Sequence, residues 1–183
     1  TVTFNETTTA GACDNTYTLT RTWTATDACG NETVHTQTIS VQDTTAPTFN
    51  EALPADLTVE CDTVPTASTL TANDNCGTAT VTFNETTTAG TCDNTYTLTR
   101  TWIATDACGN ETVHTQTISV QDTTAPTFNE ALPADLTVEC DAIPTAGTLT
   151  ANDNCGTATV TFNETTTAGA CDNTYTLTRT WTA

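Results

Sequence analysis

Cysteine is the residue type of this chain with the most definite chemistry. Each full copy of a 79-residue repeat carries four, and in the middle copy they are Cys61, Cys76, Cys92 and Cys108. None stands in a CxxC pair, and none is grouped with His at the spacing of a zinc site. An even number of cysteines in each small unit predicts disulfides formed in an oxidising compartment. Because the four recur as a set, a reactive thiol is disfavoured.

The repeat itself is nearly exact. TVTFNETTTAG begins at Thr1, Thr80 and Thr159, and residues 1–79 differ from residues 80–158 at five positions only. Catalytic sites are rarely tiled in this way, whereas stalks and fibres are, because repetition supplies length. We therefore expect these residues to be a segment of a much longer chain.

Carboxylates offer a second chemistry, the binding of a hard cation. The chain has 22 acidic residues and a formal net charge of −19. One interpretation is a set of Ca²⁺ sites at domain junctions, since Ca²⁺ prefers six to eight oxygen ligands. The other interpretation is solvated turn residues that keep the chain soluble, because no DxDxDG loop is present. The candidate ligands are Asp62, Asp93, Asp122 and Asp153.

The only cation of the middle repeat is Arg100, which alternates onto the same strand face as Tyr96 and Trp102. A core-facing guanidinium needs a carboxylate partner. Glu85, on the preceding strand, is the predicted partner, with a ligand-binding Arg as the minor interpretation. His114 falls at a core position and is interpreted as structural. No nucleophile elbow and no phosphate loop recur, so we expect no enzymatic activity.

The charge also restricts the partners. With no Lys and three Arg against 22 acids, the surface repels nucleic acid and anionic membranes, so neither is an expected partner. No apolar run reaches the length of a membrane span, so no membrane insertion is expected in this segment.

Strict alternation predicts the strands. The segment 95–106 places Leu98, Trp102 and Ala104 on one face and mainly Thr on the other, which is typical of a long antiparallel strand with one buried face. A Gly109–Asn110 turn precedes a second alternating segment. The predicted strands of the middle copy are Thr48–Asn50, Asp56–Cys61, Thr69–Asn73, Thr78–Thr86, Thr95–Asp106 and Glu111–Val120.

DTTAP breaks the alternation at Asp43 and again at Asp122, and it marks a linker. The predicted domains are therefore 1–42, the C-terminal part of one domain, 43–121, a complete domain, and 122–183, the N-terminal part of a third. Many short strands, frequent turns and no helical periodicity predict an all-β class, with β-sandwich domains arranged head to tail.

The order of motifs DTTAPTF, LPADLTVEC, LTANDNCG, ATVTF, TWIATDACGN and HTQTISV resembles the hyalin repeat (HYR) module, an immunoglobulin-like sandwich. The form with DNCG, DACGN and TLTRTW is similar to HYR-like repeats of giant surface adhesins of Bacteroidota, such as the SprB-type gliding-motility adhesins of flavobacteria. The usual hyalin disulfide is missing, because its two positions align with Leu53 and His114. The four cysteines must therefore pair otherwise.

Four cysteines allow three pairings. Cys92 and Cys108 flank the long strand at about 35–40 Å, too far apart for a disulfide. In the immunoglobulin-like path that the resemblance implies, Cys61 and Cys92 lie at one pole, and Cys76 and Cys108 lie at the other. The predicted disulfides are therefore Cys61–Cys92 and Cys76–Cys108, and by repetition Cys140–Cys171.

The resemblance also implies O-glycosylation in Asp-Thr-Thr or Asp-Thr-Val motifs, at Thr44, Thr63 and Thr123. It implies type IX secretion, an extracellular location at the cell surface, and a role in adhesion or gliding. The implied partners are neighbouring repeats of the same chain, a surface or glycan ligand at an unseen tip, and a cell-surface motor or anchor.

The first functional hypothesis is therefore a structural stalk or filament repeat that projects a tip or transmits traction. A multivalent glycan- or protein-binding repeat is the second hypothesis, and a self-assembling extracellular filament is the third. An exposed aromatic platform would favour the second, but Phe49, Phe83, Tyr96 and Trp102 are all predicted to lie on core faces. This distribution favours the stalk.

Overall fold

The computed structural model describes all of residues 1–183 and contains strands only, which confirms the all-β prediction. No helix is long and apolar enough to cross a membrane. The thirteen strands are β1 (Val2–Ala10), β2 (Tyr17–Thr26), β3 (Glu32–Val41), β4 (Thr48–Phe49), β5 (Leu57–Glu60), β6 (Ala72–Asn73), β7 (Thr80–Ala89), β8 (Tyr96–Thr105), β9 (Glu111–Gln121), β10 (Thr127–Phe128), β11 (Ala151–Asn152), β12 (Thr161–Ala168) and β13 (Tyr175–Thr182).

The middle copy of the repeat forms a four-stranded sheet in the order β5-β9-β8-β7 and a short antiparallel pair, β4 with β6. The first copy repeats part of this pattern as an antiparallel sheet in the order β1-β2-β3. The third copy supplies the pairs β10–β11 and β12–β13. All six strands predicted for the middle copy are present, with boundaries that shift by a few residues.

The alternation of β8 sets the core, as predicted. Leu98, Arg100, Trp102 and Ala104 are buried, while the Thr residues between them are only partly covered. β9 buries Gln116, Ile118 and Val120 on one face. Successive side chains of a strand point to opposite faces. The alternation of Thr with larger residues therefore decides which face of each strand is buried.

Trp102 occupies the centre of this core and is 1% exposed. Its Nε1 donates a hydrogen bond to the Ser68 carbonyl at 3.0 Å, and its ring lies 5.2 Å from Phe83 and 5.8 Å from His114. His114 Nε2 lies 2.9 Å from the Pro54 carbonyl oxygen, an arrangement that agrees with a structural role. The prediction for Phe83 is wrong, because this side chain is 48% exposed. Its ring is tilted by 45° against that of Trp102, and about half of the residue stays exposed.

Two compact units make up the chain. The first consists of Thr1–Leu57, Thr66–Thr86 and Leu98–Thr117, and the second of Thr58–Pro65, Thr87–Thr97 and Ile118–Ala183. Each unit thus contains residues from two successive copies of the repeat. The domain boundaries expected at 42/43 and 121/122 stay a prediction.

Candidate functional site

The first disulfide, Cys13–Cys108, lies in the first compact unit and has a Cα–Cα distance of 5.1 Å. Cys13 sits in the loop between β1 and β2, closed by a hydrogen bond from Gly11 N to Thr16 O at 2.8 Å. Asn15 takes a φ of 60° in this loop, a left-handed conformation that Asn tolerates better than most residues. The short CDN turn therefore places Cys13 at the end of the hairpin.

Cys108 is presented by a loop that one carboxylate organises. Asp106 Oδ1 accepts hydrogen bonds from Cys108 N at 2.8 Å and Asn110 N at 2.9 Å, and Oδ2 accepts one from Asn110 Nδ2 at 2.8 Å. Gly109 takes a φ of 86°, which favours glycine at this position. Burial raises the pKa of Asp106, but the hydrogen bonds from Asn110, Cys108 and Gly109 outweigh it and hold the pKa below 3.8.

The second disulfide, Cys61–Cys155, lies in the second compact unit with a Cα–Cα distance of 5.6 Å. Cys61 directly follows β5, and its N–H donates to Gln121 O at 3.1 Å. Cys155 follows β11 in the NDNCG loop, where Asp153 Oδ1 accepts a hydrogen bond from Cys155 N at 2.7 Å. The backbone N–H of each cysteine is thus fixed by a hydrogen bond, that of Cys61 to the end of β9 and that of Cys155 to a carboxylate of its own loop.

These bonds correct the predicted pairing. Cys61 is bonded to Cys155 and not to Cys92, and Cys108 is bonded to Cys13 and not to Cys76. The predicted bond Cys140–Cys171 is also wrong, because both residues are free thiols. Five cysteines are unpaired within residues 1–183: Cys29, Cys76, Cys92, Cys140 and Cys171.

The linker after β9 lies close to the residue that precedes Cys61. Thr123 donates from its N–H and its Oγ1 to the two carboxylate oxygens of Glu60, at 3.0 Å and 2.6 Å. Gln121 Nε2 also donates to Glu60, at 3.3 Å. The hydrogen bonds from Thr123 and Gln121 lower the pKa of Glu60. The linker is therefore held beside the end of β5, and the NDNCG loop of the next repeat reaches Cys61. The prediction treated each repeat as a separate body and missed this contact.

Asparagine side chains add a contact that sequence reasoning missed. Asn15 Nδ2, two residues after Cys13, donates to the Cys76 carbonyl oxygen of the next repeat. Asn94, at the equivalent position one period later, has its Nδ2 beside Gly156, 3.0 Å from where a Cβ would lie. The recurring CDN motif, whose Asn takes a positive φ in every copy, was the available signal.

The structure gathers three of the four predicted metal ligands. Asp93, Asp122 and Asp153 line one surface pocket of about 310 Å³ together with Asn94 and Cys155, and Asp62 does not line it. Two of these carboxylates already cap their own loops, since Asp122 Oδ1 accepts from Thr124 N and Asp153 Oδ1 from Cys155 N. This agrees with the interpretation as turn residues, and calcium binding stays a prediction.

Oxygen and sulfur atoms of Glu60, Asp122 and Cys155 lie within 4.8 Å of one another. A second such group is formed by Asp43, Asp74 and Cys76, of which Asp43 and Cys76 correspond to Asp122 and Cys155. Cys155 cannot supply a thiolate, because its sulfur is part of the disulfide. Burial, followed by the charges of Asp43, Asp74 and Asp106, raises the pKa of the Cys76 thiol. A raised pKa lowers the thiolate fraction, which disfavours a catalytic or redox-sensing role for this thiol.

The predicted ion pair is present, with Arg100 Nε 2.8 Å from Glu85 Oε2. The guanidinium side chain is 5% exposed and the carboxylate side chain 40% exposed, so one partner is buried and the other faces solvent. The register of β1 with β2 and of β12 with β13 pairs the equivalent residues, Glu6 with Arg21 and Glu164 with Arg179.

The three predicted glycosylation sites are exposed, but they are not equally available. Thr123 Oγ1 donates to Glu60, as described above, and Thr63 Oγ1 donates to Glu60 O at 3.1 Å. Thr44 is exposed in the linker that follows β3. O-glycosylation stays a prediction at all three positions.

The middle copy is similar to one known family of domains. Residues 49–120 match an HYR-like domain with 4 cysteines. The match lies within the predicted domain 43–121, and it supports the HYR-like repeat, the immunoglobulin-like β fold and, with the two disulfides, an extracellular location. Comparison with curated proteins gives no match.

Proposed function

We propose that this chain is a load-bearing stalk segment of a very large extracellular bacterial adhesin, built from HYR-like domains in tandem and without enzymatic activity. The observation that carries the proposal is the pair of disulfides Cys13–Cys108 and Cys61–Cys155, each joining two successive copies of the repeat. Bonds between copies resist the separation of those copies, which is the requirement of a part that transmits force.

The mechanism is mechanical. Neighbouring repeats are the immediate partners, and a tip ligand at one end and a cell-surface anchor or motor at the other would complete the traction path. The charge of −19 keeps parallel chains apart, which disfavours the self-assembling filament. Type IX secretion and a role in gliding motility are part of the proposal through the resemblance to Bacteroidota adhesins.

A deletion in the parent protein tests the role. Removing whole repeats should shorten the filament in electron micrographs in proportion to the number removed, while ligand binding per filament stays the same. A matched control replaces the deleted copies with the same number of other copies. If adhesion instead falls in proportion to the number of repeats, and isolated repeats bind cells or glycans directly, the stalk proposal is wrong.

A recognition repeat is the second candidate, and the exposure of Phe83 favours it. Phe83, Phe4 and Phe162 occupy the same repeat position and are each about half exposed, so an aromatic ring recurs every period. Aromatic faces suit sugar rings. Binding of the 183-residue chain to a glycan array, abolished by Phe83→Ser together with Phe4→Ser and Phe162→Ser, would support this candidate; equal binding by wild type and variant would remove it.

A further inference from the structure

The two disulfides follow one rule. Cys155 occupies the position of Cys76 one period later, and Cys13 occupies the position of Cys92 one period earlier. The first cysteine of a repeat is thus bonded to the second cysteine of the following repeat, and the third to the fourth of the following repeat. The sequence separations, 94 and 95 residues, both exceed the 79-residue period.

We infer that every cysteine of the repeated array is bonded in this way, so that two disulfides join each repeat to the next and no cysteine is bonded within its own repeat. Under this rule, the partners of Cys29 and Cys76 belong to a preceding copy. The partners of Cys92, Cys140 and Cys171 belong to a following copy. The inference rests on the two bonds and the period, and it holds whether or not the protein is an adhesin.

The unpaired cysteines already have the local geometry of the bonded ones. Cys76 N donates to Asp74 Oδ2 at 2.7 Å, as Cys155 N does to Asp153 at 2.7 Å. Cys92 lies in a turn closed by a hydrogen bond from Thr95 N to Cys92 O at 3.2 Å, the same bond that closes the turn of Cys13. Their loops therefore need no rearrangement to form the same bonds.

Each bond forms by oxidation of two thiols. One thiolate attacks the disulfide of an exchange partner, such as oxidised glutathione or a protein disulfide, and forms a mixed disulfide. The second cysteine thiolate displaces the partner's remaining sulfur. The two cysteines lose two protons and two electrons, and the exchange partner leaves as two thiols, so the step is balanced.

The pattern creates two continuous covalent tracks along the array. One track passes from Cys61 to Cys76 through 15 residues of main chain and crosses a disulfide at each junction. The other passes from Cys92 to Cys108 through 16 residues that include β8. Fully stretched, each track spans roughly 60 Å per repeat, against roughly 280 Å for 79 residues of uncrosslinked chain. Unfolded repeats therefore cannot lengthen much under load, and one cut in the main chain does not sever the array.

Cleavage after glutamate distinguishes this pattern from bonds within a repeat. Glu60, Glu85 and Glu111 separate the middle copy into peptide 61–85, with the first two cysteines, and peptide 86–111, with the other two. For the oxidised 183-residue chain with its free thiols alkylated, we expect mass spectrometry to find 7–32 joined to 86–111, and 61–85 joined to 140–164. The five differences between copies give these peptides distinct masses. A bond between 61–85 and 86–111 would overturn the inference.

The same digestion of the full-length protein, without reductant, tests the whole array. Two continuous tracks yield high-mass ladders that collapse to 25- and 26-residue peptides on reduction. Bonds confined to one repeat yield small discrete products before reduction. A variant with the five free cysteines of the 183-residue chain changed to Ser removes competing partners and should keep both bonds.

Force spectroscopy on the 183-residue chain supplies an independent readout. Because the two loops overlap, either bond alone shortens the extensible path to about 88 residues. The single variants Cys13→Ser and Cys61→Ser should therefore extend as far as the oxidised wild type, and the double variant should extend about 330 Å further. Release of that length by one substitution would contradict the overlapping pattern.

Discussion

The Arg–Glu pair on neighbouring strands occurs three times with nearly the same geometry and different burial. The N–O distances are 2.7, 2.8 and 2.8 Å for Arg21–Glu6, Arg100–Glu85 and Arg179–Glu164, whereas the Arg side chains are 36%, 5% and 20% exposed. The burial differs because only the middle copy has all of its strands within residues 1–183, whereas the first copy has no counterpart of β4–β6 and the third copy has none of β9. The 183-residue chain therefore contains its own series for measuring how burial changes the contribution of one ion pair. The perturbation is Glu→Gln at each copy in turn, which removes the charge and keeps the shape.

The expected magnitude follows from burial. Removing one partner of a buried pair costs about 3–5 kcal/mol, because a buried charge is left without compensation. Glu85 itself faces solvent, so we expect Glu85→Gln to cost about 2–3 kcal/mol, below that range. The exposed pair of Arg21 should contribute less than about 1 kcal/mol, and Glu164→Gln should fall between the two. Adding Arg100→Met to Glu85→Gln should recover part of the loss, since it removes the buried charge.

Hydrogen exchange of the strand amides measures the opening free energy of each hairpin separately, whereas a global unfolding experiment gives one value for the whole chain. At about 1.4 kcal/mol for each tenfold change, Glu85→Gln should lower protection in β8 by roughly 30- to 140-fold. Glu6→Gln should lower protection in β2 by less than about fivefold on the same scale. An equal or larger effect in β2 would refute the claim that desolvation of the guanidinium decides the size of the effect.

Three further predictions concern the core, the loops and pH. Trp102→Phe should lower the free energy of unfolding of the middle sheet by about 2 kcal/mol, because it removes buried ring area and leaves the Ser68 carbonyl without its donor. Trp23 is more exposed, so Trp23→Phe should have a smaller effect. Urea unfolding monitored by hydrogen exchange measures both. Gly90→Ala should destabilise the β7–β8 hairpin, because its Cβ would lie 2.3 Å from Thr95 Oγ1 and 2.7 Å from Thr95 O; unchanged β7 protection would contradict this. Asp106, whose pKa is lowered on folding, contributes stability that is complete above pH 3.8 and is lost as pH falls through its folded value. Acid unfolding of Asp106→Asn should therefore show a weaker pH dependence below about pH 4 than the wild type does, and an unchanged slope would contradict the assignment.

Local pattern was enough to predict most of the fold. Two-residue alternation gave β8 and β9 and the faces that they bury, because the side-chain period of a strand is a property of the backbone. The same alternation placed Arg100 on the buried face. The antiparallel arrangement of neighbouring strands then made Glu85 its partner, which the structure shows at 2.8 Å.

Other features depend on contacts between segments that are distant in sequence. The exposure of Phe83 depends on which segment covers the outer side of β7, and alternation carries no information on that. The predicted calcium ligands Asp93, Asp122 and Asp153 do meet at one pocket, but only the structure shows that two of them cap their own loops.

Strand alternation and periodicity are local properties, so the residues alone predict a repeated all-β chain with four cysteines in each copy. The tertiary structure decided which cysteines meet. A disulfide requires Cα atoms within about 7 Å, and the residue that comes so near to Cys61 is Cys155, 94 positions along the chain. Hydrogen bonds from Thr123 to Glu60 hold the linker beside the residue that precedes Cys61, and contacts of this kind join two copies, so the pattern within one repeat does not specify them.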